Sequence, residues 1–345
     1  MNEPTGLAVT SDHRDTAGSS EEPPPDQTLA PAEVAGRSPT QLAWRRFRRD
    51  RTGVISGAVV LLFFLAGLGA PVIAALYGKD PYTTYGQNQP GLLNEFGYPA
   101  KPNGGIDGQF WLGLEPSLGR DVFTQLLYGI RTSLLISLAV VLIITTLGVL
   151  IGVVAGYTGR WVDFGVGRVI DVVLSFPSTL FFIAFIPVIQ SLFVPPDQET
   201  PTWLRATTVI LVLSAFGWAQ IARLMRGQVL SLREREYIEA ARIAGAGPGR
   251  IIRAELLPNL WTPILVSVSM TVPTYVTTEA ALSFLGVGMV EPTPDWGRMI
   301  HRGAEVYSAD LSYMLAPGLA MLVFVIAFNL LGDSVRDALD PRAHR

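Results

Sequence analysis

The chain has 345 residues, no cysteine, 16% charged and 49% hydrophobic residues, a formal charge of −3, a mean hydropathy of +0.35 and a pI near 5.7. A soluble domain carries about 25% charged residues, so the deficit points to a membrane protein, and mild acidity argues against a dedicated nucleic-acid binder. Lack of cysteine excludes a disulfide scaffold, a thiolate zinc site, an iron–sulfur cluster and a cysteine nucleophile.

Residues 1–36 are polar and acidic. Seven carboxylates (Glu3, Asp12, Asp15, Glu21, Glu22, Asp26, Glu33) stand against Arg14, around Pro23-Pro24-Pro25. Such a segment buries too little apolar surface to offset its ordering entropy and is expected to be a disordered tail, dispensable or used for docking. No apolar region follows a basic start, so it does not read as a cleaved signal peptide. Residues 37–52 form a basic juxtamembrane segment with Arg45, Arg46, Arg48, Arg49 and Arg51.

From residue 53 onward the chain reads as a transmembrane domain. Six charge-poor runs lie between Arg51 and Lys79, Arg131 and Arg160, Asp171 and Asp197, Arg205 and Arg223, Glu255 and Glu279, and Asp310 and Asp333. Each approaches the roughly 20 residues that cross a bilayer as a helix, the fourth being the shortest. The predicted fold is therefore an all-α membrane protein with six transmembrane helices. Pro177, Pro187, Pro263 and Pro273 fall within these runs, where each is either a hinge or a packing irregularity.

Basic residues set the orientation. They crowd before the first run, between the fourth and fifth (Arg226, Arg233, Arg235, Arg242, Arg250, Arg253), and after the sixth (Arg336, Arg342, Arg345). The intervening loops carry few: Lys79, Lys101 and Arg120, then Arg298 and Arg302. The positive-inside rule puts both termini in the cytoplasm, and an even number of spans requires them to share a side. The first external loop, 79–127, is rich in glycine, proline and aromatics and is too long for a simple connection. It packs on the outer face or serves as a lid or docking surface.

Catalytic signals are missing. There is no phosphate loop, no H-E-x-x-H and no G-x-S-x-G, and the histidines (His13, His301, His344) are dispersed. The chain reads as non-enzymatic and without a cofactor. The informative stretch is the inner loop, 226–258. A helix is expected from about Leu232 to Ala244, stopped by Gly245 and by Gly247-Pro248. A second short helix is expected from Gly249 to Leu257, with Pro258 starting the fifth span. Tyr237, Ala241 and Ala244 share one face at i, i+4 and i+7, suited either to another protein's groove or to lipid headgroups.

Glu239-Ala240-Ala241, Gly245 and Leu257-Pro258 resemble the E-A-A-x-x-x-G…L-P signature of binding-protein-dependent ABC importer permeases. Two further blocks narrow the likeness to the peptide-type OppC/DppC subfamily. Leu112-Gly113-Leu114-Glu115-Pro116-Ser117-Leu118-Gly119-Arg120-Asp121-Val122 is similar to L-G-T-D-x-x-G-R-D-V, with Leu114-Glu115 in place of Thr-Asp and one extra residue. Glu279-Ala280-Ala281-Leu282-Ser283-Phe284-Leu285-Gly286-Val287-Gly288, followed by Pro292-Thr293-Pro294-Asp295-Trp296-Gly297, is similar to E-A-A-L-S-F-L-G-L-G…P-x-P-x-W-G. The likeness runs from about Trp44 to Pro341, with residues 86–106 resembling an insertion and Glu255 departing from the usual apolar residue or histidine.

The resemblance implies the ABC importer type I permease fold in the inner membrane of a prokaryote, taking up dipeptides or oligopeptides. Nickel, glutathione or oligosaccharide transport is the alternative within the class; a stand-alone channel or receptor is the alternative outside it. It implies a second homologous permease, two cytoplasmic ATPase subunits that bind ATP and Mg²⁺, and an extracytoplasmic solute-binding protein as partners, with membrane lipid and no nucleic acid. Tyr237, Glu239, Ala240, Ala241, Gly245, Leu257 and Pro258 would couple to the ATPase. Glu279, Ser283 and Trp296 are candidates for the solute path or gate, Glu279 having a structural alternative in bonding a neighbouring helix. The Glu279-Ala280-Ala281 triplet is not a second coupling signature, because Leu285 stands where glycine would be required.

Overall fold

The computed structural model describes residues 39–195 and 197–339. The acidic segment 1–36 and the C-terminal Arg342 and Arg345 lie outside the described residues. The described residues hold no β-strand beyond two isolated bridges in the first inter-span loop.

Helix α1 (Pro39–Arg49) is short and basic, and α2 (Arg51–Leu68) follows at once. Asp50 separates them by capping α2, its carboxylate accepting from the amides of Thr52 and Gly53, both at 3.0 Å. α3 (Ala70–Tyr77) continues the same apolar run after a break at Gly69 and ends at Gly78, whose φ of +73° closes the helix. α4 (Val122–Thr158) starts on Asp121, which accepts from the Thr124 amide at 2.7 Å, and stops at Gly159. At about 1.5 Å per residue it exceeds the roughly 30 Å hydrocarbon core, so it must project beyond the membrane.

The third run departs from the sequence expectation. Its charge-free stretch was bounded at Asp171, but α5 (Arg160–Ser175) passes straight through that residue, and α6 (Ser178–Ser191) leaves it at 83°. Phe176 precedes Pro177 and takes extended angles (φ −76°, ψ 138°), as the steric demand of a following proline dictates. Among the described residues, five helices are long and apolar enough to cross a membrane, or six if this bent pair is one span. Pro187, Pro263 and Pro273 lie inside helices.

The fourth charge-free run lies inside a longer helix. α7 (Thr202–Leu232) continues through Arg205, Arg223 and Arg226. Two of these arginines are neutralised by α5: Arg223 pairs with Asp171 at 2.7 Å and Arg226 with Asp163. After a turn comes α8 (Glu236–Ile243), shorter than the expected 232–244 helix. The separate second helix expected over 249–257 is instead the beginning of the next span. A helical turn at Pro248–Arg250 and a π-helical turn at Ile251–Leu256 run without interruption into α9 (Leu257–Phe284). α10 (Trp296–Val306) and α11 (Leu311–Leu339) complete the fold.

α4 is the central post. One face contributes Val140, Ile144 and Val153 to a cluster with α6, α7, α8 and α9. Ile130, Leu134 and Val141 join a second cluster with α2, α9, α10 and α11. Its contact with α7 is made by a glycine stripe: a β-carbon at Gly148 would lie 2.7 Å from Ile221 Cβ, at Gly152 2.6 Å from the Ala222 carbonyl oxygen, and at Gly156 2.9 Å from the Arg226 carbonyl oxygen. Small residues at this spacing let two helix backbones approach closely, which in lipid replaces hydrophobic burial as the source of association. Large apolar side chains such as Leu61, Leu62, Leu65, Leu142 and Leu150 are left facing outward.

Replacing Gly152 by leucine is expected to force α4 and α7 apart and destabilise the chain by about 1–3 kcal/mol or more. Gly227→Ala, where nothing lies within 4 Å, should be neutral. Thermal unfolding of both variants in detergent, followed by monodispersity, checks this.

Candidate functional site

Two regions hold the candidate residues. The first is the segment joining α7 to α9. Ile238 is fully buried in the same cluster as Val153, Val229, Ile251 and Leu256. It pins α8 across the ends of α4, α7 and α9. Around this pin the rest of α8 is open: Tyr237, Glu239 and Ala240 are exposed, Ala241 is half-buried, and Ile243 is 83% exposed. Two cationic contacts tie the segment to α4. The Arg242 guanidinium lies 5.6 Å from the centre of the Tyr157 ring, and Arg233 Nη1 donates to the Gly156 carbonyl at 3.0 Å.

The turn after α8 depends on Gly245, at φ +80° with nothing within 4 Å of its would-be β-carbon. Its amide donates to the Arg242 carbonyl at 3.0 Å, and the Ala246 amide to the Ala241 carbonyl at 3.0 Å, which closes the helix. A side chain there would meet backbone strain and would also project into open space, where a docking partner would meet it. Leu257 is half-buried and Pro258 exposed; Glu255 is half-buried, its backbone carbonyl accepting from Asn259 at 2.6 Å. The fold thus brings Tyr237, Glu239, Ala240, Ala241, Gly245, Leu257 and Pro258 into one segment. Their anchor, Ile238, was missed by sequence reasoning, because one isoleucine in an eight-residue polar helix gives no periodic signal.

The second region lies at the far end of α4. Glu279 and Ser283 are buried one turn apart on α9: Ser283 Oγ donates to Glu279 Oε1 at 3.2 Å and accepts from the Met289 amide at 2.9 Å. Asp295 caps α10, accepting from the Arg298 amide at 2.9 Å and from Ser133 Oγ of α4 at 3.1 Å. Trp296 is fully buried, its ring 6.1 Å from Phe63 and 5.6 Å from Phe324. α10 meets α9 so closely that a β-carbon on Gly297 would stand 1.9 Å from the Ala280 carbonyl oxygen. Glu279, Ser283 and Trp296 therefore sit inside the joint between α9, α10 and α4 and not on an open surface.

Beside this joint is an ionic cluster centred on Glu115 of the first inter-span loop. The fully buried carboxylate accepts from Arg120 Nε at 2.5 Å and Nη2 at 2.9 Å, from Gln125 Nε2 at 2.7 Å and from Tyr313 OH at 3.1 Å. Arg298 Nη1 lies 3.9 Å away, and the half-exposed Glu291 closes the cluster by pairing with both Arg120 and Arg298. Loop, α4, α10 and α11 are thereby fastened together. The loop is itself packed, with Phe110 and Leu114 buried and Lys79 Nζ 4.1 Å from the Phe110 ring centre. The sequence comparison met Glu115 only as a replacement for Thr-Asp; its role as hub was invisible because burial of a charge leaves no mark in a pattern.

These features define a polytopic helical membrane protein with an exposed, anchored loop helix at one end and a fastened polar joint at the other. Residues 148–345 match the model of the binding-protein-dependent transport system inner membrane component, and residues 38–95 match the N-terminal transmembrane domain of oligopeptide transport permease C. The chain belongs to this family of transport-system inner-membrane components. It is 31% identical over 322 residues to the dipeptide transport system permease protein DppC of Alkalihalophilus pseudofirmus, covering 93% of each chain. It is 34% identical over 306 residues to the glutathione transport system permease protein GsiD of Pectobacterium atrosepticum, covering 89% of this chain and 92% of the relative. A chain of the MetNI methionine ABC transporter in an inward-facing conformation aligns with 63% of this chain and 96% of its own at 21% identity and a TM-score of 0.49.

Burial pushes the Glu115 carboxyl up, but the hydrogen bonds and charge of Arg120, with Gln125 and Arg298, more than offset this and hold it below its ordinary value of 4.5. A carboxylate with a lowered folded-state pKa stabilises the fold above its unfolded pKa, and that stabilisation is lost as pH falls through the folded value. Acid unfolding of the purified chain is therefore expected to include a step below pH 4.5 that is absent in Glu115→Gln. At neutral pH that variant should be less stable by about 3 kcal/mol, because it leaves the buried guanidinium groups of Arg120 and Arg298 with only the half-exposed Glu291 between them.

Proposed function

We propose that the chain is the transmembrane permease subunit of an ATP-driven importer of dipeptides or oligopeptides. The observation that carries the reading is the exposed α8 segment, pinned by Ile238 to the cluster shared by α4, α7 and α9. A helix that offers small and aromatic side chains outward while rooted in the spans is built to pass a push from a partner to the transmembrane helices. Tyr237, Glu239, Ala240, Ala241, Gly245, Leu257 and Pro258 form this coupling surface. A partner ATPase binds and hydrolyses ATP with Mg²⁺; this chain holds no catalytic residue or cofactor of its own. Two such ATPases, a second homologous permease and an extracytoplasmic solute-binding protein complete the assembly.

The density of arginines around α1 and α8 supports a topology with both termini and the coupling segment, 226–258, in the cytoplasm, and the loop 79–127 outside. Glu279, Ser283 and Trp296 belong to the gate end of the path. Their burial suits them to holding α9 against α10 more than to touching solute. The peptide assignment is supported by the names of the dipeptide-permease relatives. Glutathione, itself a peptide, is the second reading, favoured by the glutathione-permease relatives at 34% and 35% identity.

Gly245→Trp tests the coupling role in the reconstituted complex. The expected result is a transporter that still assembles, its stability lowered only by the roughly 1–2 kcal/mol of left-handed backbone strain at this position, but whose ATP-driven uptake falls by about tenfold or more, the size of loss that about 1.4 kcal/mol of misplacement produces. Unchanged uptake and solute-stimulated ATP hydrolysis would remove the coupling assignment. Measuring uptake of labelled dipeptide and glutathione side by side separates the two substrate readings.

A further inference from the structure

α1 is a helix whose sidedness the fold has fixed. The Phe47 ring lies against α2, where a β-carbon on Gly53 or Gly57 would meet it at 3.0 and 3.7 Å. Trp44 stacks on Phe47 with ring centres 5.9 Å apart. With that face turned inward, Leu42, Trp44, Arg45, Arg48 and Arg49 are exposed, Trp44 to 61%. Among the described residues, Arg45, Arg48 and Arg49 enter no ion pair. The nearby Asp50 carboxylate is already engaged in capping α2 through the Thr52 and Gly53 amides.

Position adds to this. Only Asp50 separates α1 from α2, the first membrane-spanning helix. The stripe Leu42, Arg45, Arg49 therefore stands where the chain enters the headgroup layer, with an exposed indole beside it of the kind that settles at that depth. Two apolar side chains, Leu42 and Trp44, precede three cationic ones, Arg45, Arg48 and Arg49, on the exposed surface, so its complement is an anion with an apolar body. A guanidinium binds a phosphodiester through two parallel N–H donors, and juxtamembrane arginines each add to attraction for an anionic leaflet.

We propose that this face of α1 binds the phosphodiester headgroup of an anionic phospholipid, with Arg45 and Arg49 as the primary donors, Arg48 flanking, and Leu42 and Trp44 seated against the glycerol and upper acyl region. The binding fixes α1 at the membrane surface and, through Phe47, sets the entry of α2. The competing occupant is the acidic segment 1–36, which leads directly into α1 and carries seven carboxylates against one arginine.

The test is native mass spectrometry of the full-length chain, titrated with short-chain phosphatidylglycerol or phosphatidylcholine. The expected result is preferential binding of phosphatidylglycerol, weakened about tenfold or more in the triple variant R45Q/R48Q/R49Q and kept as a weaker preference in R45K/R48K/R49K, which retains the charge but loses the two-donor fork, with phosphatidylcholine binding unaffected. The lysine variant guards against a folding defect in the glutamine one, and inorganic phosphate should not compete. Equal binding of the two lipids, or no effect of the glutamine variant, would overturn the proposal. So would a lipid preference that emerges only when residues 2–36 are deleted, because the acidic segment would then be the occupant in the intact chain.

Discussion

The close approach of α4 and α7 is the constraint from which the rest of the architecture follows. In lipid, apolar side chains gain nothing by leaving one hydrocarbon for another, so helices associate where backbones can come near. Gly148, Gly152 and Gly156 provide that approach over two turns, where any β-carbon would stand within 3 Å of α7 atoms. The stripe reaches to the end of α4, and α7 continues past it to Leu232. Two long helices locked in this way present a rigid end on which a short helix can be mounted. Arg233 donating to the Gly156 carbonyl and Arg242 over Tyr157 fasten that mounting to the last residues of the stripe.

The opposite end is held by different chemistry. There the helices meet through buried charge: Glu115, Arg120, Arg298 and Glu291, with Gln125 and Tyr313 filling the remaining hydrogen-bond positions. A buried ionic cluster adds little net stability over an apolar one, but it is geometrically exacting, because each unpaired member is costly. It fixes the first inter-span loop and α10 in one arrangement relative to α4 and α11. Glycine-mediated close packing of α4 and α7 at one end and a charge-fixed cluster at the other suit a molecule in which a push at the first must be felt at the second.

Much of this was legible in the sequence wherever charge marked an edge. The first, second, fifth and sixth spans were placed by their charge-poor interiors, and the coupling segment by residue types fixed at separated positions. The third and fourth spans extend past their charge-free runs for one shared reason. Asp171 and Arg223 read as boundaries, whereas they pair with each other across α5 and α7, with Asp163 and Arg226 paired beside them, and both helices continue. A pairing between residues 52 or 63 positions apart is a tertiary fact and leaves no local trace. The same holds for Ile238 and Glu115, whose importance is a matter of burial. The glycine stripe is different: three glycines at four-residue spacing in an apolar run are a readable signal, although which helix they meet is again a tertiary fact.

The central claim is that α4, α7 and α8 move as one body when the coupling surface is pushed. The chain has no cysteine, so spin labels can be introduced cleanly at the exposed Thr158 and Ile243, at the ends of α4 and α8. Pulsed electron paramagnetic resonance on the assembled transporter, nucleotide-free and ATP-trapped, measures the distance between them. The account expects a single distance distribution that is unchanged between the two states while labels across the two permease subunits report movement. A shift or broadening of the Thr158–Ile243 distance on ATP binding would contradict it, because α8 would then be flexing on its mounting and could not drive the spans.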